Sequence, residues 1–76
     1  MPTLARLSGC AITLYAGDHL PPHFHVRTKD SKEALIVIHT LAVLSGALAQ
    51  RELTEALAWA QGNRAVLLQK WQELNP

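Results

Sequence analysis

Seventy-six residues leave room for one small domain, residues 1–76, and exclude a two-substrate enzyme with its own cofactor domain. With 49% hydrophobic and 17% charged residues, the chain is apolar enough to fold and too apolar for disorder. Seven Lys and Arg against six Asp and Glu leave a formal charge of +1, far from the basic excess of a free-standing nucleic-acid binder.

In chain order, apolar residues recur at even positions over 3–15, at Leu4, Cys10, Ile12 and Leu14, interrupted at Ser8-Gly9. Period-two alternation predicts one half-buried strand, or two short ones joined at Gly9. Cys10 is the only cysteine, which excludes an intramolecular disulfide and an all-cysteine zinc site, and it reads as a small buried hydrophobe. Ala16-Gly17-Asp18-His19 is turn chemistry, and Pro21-Pro22 favours extended backbone leading into residues 23–28. There Phe24 and Val26 face one way, and His23, His25 and Arg27 the other.

Lys29-Asp30-Ser31-Lys32 reads as a hairpin loop followed by a central strand over 33–39. Symmetric closure of that loop sets Thr28 opposite Glu33, Val26 opposite Leu35 and His25 opposite Ile36. The apolar run 41–48, broken at Ser45-Gly46, predicts an edge strand and a turn. Over 50–74, Leu53, Leu57, Ala60, Leu67, Trp71 and Leu74 share a helical stripe that should cover the Phe24/Val26 face. Gly62-Asn63 interrupts it, and the preserved heptad phase favours one kinked helix over two. Trp59 and Trp71 read as core or interface, and Arg51, Glu52 and Glu55 as a solvated face with Arg51 and Glu55 one turn apart. The expected fold is α+β, a small antiparallel sheet of three to four strands packed against a carboxy-terminal helix kinked near Gly62.

No basic segment followed by an apolar stretch opens the chain, and the longest apolar tract, 35–49, holds fifteen residues and contains His39. That is short of the ~20 needed to cross a bilayer, so the expectation is a cytoplasmic protein with no membrane association. The chemistry concentrates in residues 17–27. All four histidines, His19, His23, His25 and His39, lie in the first 39 residues, and protonating all of them would raise the charge from +1 to +5. A strand sets His23 and His25 about 6–7 Å apart on one face, a spacing that suits one metal ion. His19 or Asp18 would reach in from the turn, and such nitrogen-rich ligation suits zinc, nickel or copper. The same His23 and His25 could serve as base and acid, with Arg27 binding a phosphate oxygen, as metal-free RNA cleavage requires. Tyr15 joins either site if it projects to that face.

Tyr15 followed by Asp18-His19, the stretch Pro21-Pro22-His23-Phe24-His25-Val26, the opening Met1-Pro2-Thr3 and the Trp-containing carboxy-terminal segment resemble one family of small bacterial proteins. That family is catalogued as domain of unknown function 4160. The resemblance covers nearly the whole chain, and its specific part falls on Asp18, His19, Pro21, Pro22, His23, Phe24, His25 and Val26. It implies a compact α+β protein, and a gene neighbour encoding another small protein, hence a toxin–antitoxin-like pairing. It supplies no reaction, so no catalytic role is carried over. Relatives carry a polar, acidic turn after the central strand, whereas this chain has His39-Thr40-Leu41-Ala42-Val43-Leu44. An apolar edge of that kind invites pairing with another chain. Gly46 and Arg51 still follow the family pattern.

Three functions follow as expectations. The first is a partner-binding module of a two-gene toxin–antitoxin-like system, its surface formed by Tyr15, Asp18, His19, Pro21 and Pro22. Its partner would be a protein encoded nearby or a second copy. The second is an RNA-cleaving enzyme using His23, His25 and Arg27. The third is a module binding zinc or nickel through His19, His23, His25 and Asp18.

Overall fold

Alternating apolar residues make strands only where turns let them pair. The computed structural model describes residues 3–76, so Met1 and Pro2 of the family-like opening lie outside the described residues. The break at Ser8-Gly9 separates β1 (Thr3–Arg6) from β2 (Cys10–Thr13), and β3 (His23–Thr28), β4 (Glu33–Val37) and β5 (Val43–Gly46) follow. Each strand pairs antiparallel with the next in chain order, giving five strands where three to four were expected. The additional strand comes from the split at Gly9 together with the pairing of β5.

Register departs from the sequence expectation by one residue. Arg27, not Thr28, lies opposite Glu33; Val26 faces Ala34, His25 faces Leu35 and Phe24 faces Ile36. The loop has three residues, because the Thr28 N–H donates to the Lys32 carbonyl at 2.9 Å and the Ser31 N–H to the Thr28 carbonyl at 3.1 Å. Ser31 closes it in the left-handed region at φ 67°, the geometry of a three-residue hairpin loop. A one-residue slip exchanges faces along the whole strand. Ala34 and Ile36 are therefore buried in the core, while Glu33 and Leu35 share the face of His25.

Ser45 and Gly46 belong to β5 instead of breaking it. Gly46 takes φ +81°, and a Cβ there would meet the Glu33 carbonyl oxygen at 2.2 Å, so a side chain at this position would push the edge strand off β4. All of β5 is exposed.

The carboxy-terminal segment forms two helices, α1 (Gln50–Gln61) and α2 (Arg64–Leu74), in place of one kinked helix. Asn63 makes the break: its side-chain amide takes the Trp59 carbonyl at 2.7 Å, and its own carbonyl then accepts the Leu67 N–H at 2.9 Å. The stripe survives the break. Ala56, Ala60, Leu67 and Trp71 are buried against Cys10, Ile12, Leu14, Phe24, Val26, Ile36 and Ile38, the face expected to carry the core. Thr13, His25, Arg27 and Leu35 lie on the opposite face, outside the helix-packed core among the described residues, and His23 at the start of β3 meets α2 through Trp71. Among the described residues, no helix is long and apolar enough to cross a membrane.

Glu55 is not part of a solvated face, and Arg51 pairs with Glu52 at 3.2 Å instead. The Glu55 carboxylate accepts the Ser8 hydroxyl and the N–H groups of Ser8 at 3.2 Å and Gly9 at 3.1 Å, tying α1 to the β1–β2 turn. The Ser8 hydroxyl foremost, then the Gly9 N–H, hold its acidity constant below the ordinary glutamate value. A lowered folded-state value means the charge stabilises the fold above the unfolded value of about 4.3, and that contribution fades as pH falls below it. Glu55→Gln should therefore be less stable than wild type at pH 7, with the difference shrinking as pH drops from 5 towards 3 (estimated from ~4.3). Urea midpoints across that range check this; a constant difference would contradict it.

Candidate metal centre

Three side chains from a turn and a strand bring potential ligand atoms together. Gly17, at φ 73°, lets the chain reverse before Asp18. The Asp18 N–H donates to Asn75 Oδ1 at 3.0 Å, and Asn75 Nδ2 donates to the carbonyls of Tyr15 and Trp71, each at 3.2 Å. The end of α2 thus fixes the turn. Asp18 Oδ1 accepts the His19 N–H at 3.1 Å, which orients the carboxylate and leaves Oδ2 facing β3.

Strand alternation places His23 and His25 on one face, as expected, but in unequal surroundings. The His23 side chain is 0% exposed and that of His25 14%. The His23 ring lies among those of Trp71 at 5.2 Å, His19 at 5.2 Å and His25 at 5.3 Å. His25 meets the Tyr15 ring edge-on at 4.5 Å. Both Nε2 atoms lie 3.0 Å from Asp18 Oδ2. One atom from each of Asp18, His23 and His25 falls within 4.8 Å of the others.

The far side of the His23 ring settles where its hydrogen sits. His23 Nδ1 lies 2.8 Å from the Pro21 carbonyl, which only accepts, so Nδ1 carries the hydrogen and Nε2 of the neutral ring is a bare lone pair. His25 lies between two carboxylates, its Nδ1 3.3 Å from Glu33 Oε2 and its Nε2 3.0 Å from Asp18 Oδ2, so either nitrogen can carry its hydrogen. One lone pair, that of His23, then faces a carboxylate oxygen to which His25 Nε2 is hydrogen-bonded. His23 Nε2, although 3.0 Å from Asp18 Oδ2, lies off the direction of a hydrogen bond and is a buried polar atom without a partner. A single cation among the three atoms satisfies all of them.

Burial pushes the Asp18 acidity constant up, but the hydrogen bond to His25, the His19 N–H and the nearby imidazoles outweigh it and hold it below the ordinary aspartate value. Cys10 is remote from the centre; burial first, then the Glu55 carboxylate, raises its thiol above the usual cysteine value and keeps it unreactive.

Of the expected ligands, Asp18, His23 and His25 converge and His19 does not. The His19 ring is exposed, its Nδ1 is 3.2 Å from the Leu20 carbonyl, and it stacks on His23 instead of joining the three atoms. Pro21 and Pro22 act through their carbonyls, to His23 and to the Ile38 N–H at 3.0 Å, and the Leu20–Pro21 bond is cis. Arg27 is exposed on the same face. The three residues expected to cleave RNA therefore stand in unequal surroundings, His23 fully buried, His25 14% exposed and Arg27 open to solvent.

Glu33, Trp71 and Asn75 were missed as site residues. The expected register sent Glu33 to the core face, whereas a three-residue loop would have set it beside His25. Trp71 was read as core or interface and is also the wall against His23. Nothing near Asn75 in the sequence signals a contact with Asp18, which lies 57 residues earlier.

A family model described as Domain of unknown function (DUF4160) matches residues 9–72, a stretch that contains Asp18, His23, His25 and Glu33. That description gives no activity and no partner, so the toxin–antitoxin-like pairing draws no support from it. No curated protein and no solved structure matches the chain.

Proposed function

This chain belongs to the family described as Domain of unknown function (DUF4160), and we propose that it is a metal-binding module centred on Asp18, His23 and His25. The observation that carries this reading is the convergence of one potential ligand atom from each of Asp18, His23 and His25 within 4.8 Å, with each imidazole Nδ1 within 3.3 Å of a carbonyl or carboxylate oxygen. Histidine ligands to metals generally donate the other ring N–H to a carbonyl or carboxylate in this way. Two imidazole nitrogens and one carboxylate oxygen suit zinc, and three protein ligands leave a fourth position for water or a substrate. Nickel fits the same donors.

Calorimetric titration of the metal-free protein with zinc tests the reading. One equivalent should bind, and affinity should fall as pH is lowered because protons compete for the ligand nitrogens. Absence of saturable uptake would overturn it.

A second reading, the partner-binding module of a two-gene system, is favoured by one observation. Val43 and Leu44 on the edge strand β5 are 45% and 41% exposed, beside backbone groups with no neighbouring strand. On this reading the untagged protein purified from its host flies as an assembly in native mass spectra, with a second copy or a different protein. Leu44→Lys dissociates it. A bare monomer at micromolar concentration would reject the reading.

A further inference from the structure

We propose that the β1–β3 part of the sheet carries a second site, a basic groove beside the metal centre that binds the phosphodiester backbone of single-stranded nucleic acid. The groove encloses about 460 Å³, with Arg6 on β1, Ala11 and Thr13 at β2, Tyr15 beyond it, and Arg27 and Lys29 on the far wall. Among the described residues, no Asp or Glu lines it.

The charge there is not neutralised from elsewhere. Of seven basic side chains, Lys32, Arg51 and Lys70 stand within 3.7 Å of a carboxylate. Among the described residues Arg6, Arg27, Lys29 and Arg64 have no carboxylate partner, and the first three line this groove. Arg27 lies directly across from Glu33, its natural cross-strand counter-ion, but the Glu33 carboxylate is turned to His25 at 3.3 Å. The contact that orients His25 therefore leaves Arg27 free. A net charge of +1 conceals a local cluster of three cations.

Size and lining select the occupant. A volume of this order suits a ligand of one or two nucleotides, whereas a lone phosphate would leave most of it unfilled. Three cations drawn from two strands and a loop follow an extended backbone, and Tyr15 and Leu7 supply apolar surface for bases. Arginine matches phosphate oxygens bidentately. This inference stands on residues other than the metal ligands and holds whether or not metal binds.

The test is fluorescence anisotropy with a labelled uridine octanucleotide, in chelator so that no metal contributes. Binding should weaken with salt with a log–log slope of about −2, that is ~0.7 for each of three phosphate contacts. Arg27→Gln and Arg6→Gln should each weaken binding and flatten the slope by about 0.7. Arg64→Gln, on the helical layer, should leave both unchanged. Three results would each overturn the proposal: no binding at low salt, an equal loss for Arg64→Gln, or saturable binding of inorganic phosphate without binding of the octanucleotide. Equal binding of a deoxythymidine octanucleotide supports recognition through the backbone.

Discussion

Replacing His23 by alanine is expected to lower zinc affinity by more than about 100-fold. Loss of an outer-shell partner alone costs roughly 10–100-fold in metal sites, and His23 supplies a direct ligand atom. The reason lies in its surroundings. Its Nε2 is fully buried and without a hydrogen-bond partner, and the Pro21 carbonyl already holds the opposite nitrogen. The His23→Ala, His25→Ala double variant should bind no zinc at micromolar metal. Because His23→Ala also leaves a space beside Trp71, Glu33→Gln provides a variant that leaves the core intact. The Glu33 carboxylate meets His25 at Nδ1, so Glu33 is a positioning residue. Its loss should weaken zinc by roughly 10–100-fold while the urea midpoint stays near wild type. Competition against a chromophoric chelator measures all three. Wild-type affinity in His23→Ala with native circular dichroism would contradict the assignment.

Trp71→Ala carries the second large effect, because one side chain serves both core and site. Truncating a buried tryptophan costs about 3–5 kcal/mol. A chain of 76 residues has roughly 4–11 kcal/mol of total stability, at 0.05–0.15 kcal/mol per residue. The variant should be close to half unfolded, or to unfold at much lower urea than wild type. Trp71 is 3% exposed and its ring lies 5.2 Å from that of His23, so truncation also opens the centre to water. Trp71→Phe keeps an aromatic wall, and should cost less than about 2 kcal/mol and retain zinc binding. Urea unfolding followed by circular dichroism distinguishes these; a loss under 1 kcal/mol for Trp71→Ala (against ~3–5) would show that the helix does not seal the site.

The parts of this protein readable from its sequence are those set by neighbours in the chain. Alternation alone marks β3 and separates Phe24 and Val26 from His23 and His25, and the helical stripe picks out Ala60, Leu67 and Trp71 as buried. What was missed depends on backbone states or distant partners. Ser31 adopts a left-handed conformation that serine does not announce, and that one residue moves Glu33 from the expected core face to His25. At Gly62-Asn63 the heptad phase continues while the helix does not, because an asparagine side chain takes the carbonyl that would have extended it. Asp18 was expected beside the two histidines, but the Asn75 contact that holds its turn comes from the far end of the chain, and no local pattern reveals it. His19, by contrast, was included on proximity in sequence alone. It stacks against His23 instead of joining the converging atoms.

The central claim is that Asp18 Oδ2 and the two Nε2 atoms hold one cation. Anomalous diffraction at the zinc edge, from crystals grown with one equivalent of zinc, tests it most directly. The account predicts a single peak about 2.0–2.2 Å from all three atoms, with both imidazole Nδ1 contacts retained. A peak at His19 or His39 with none between Asp18, His23 and His25 would contradict it.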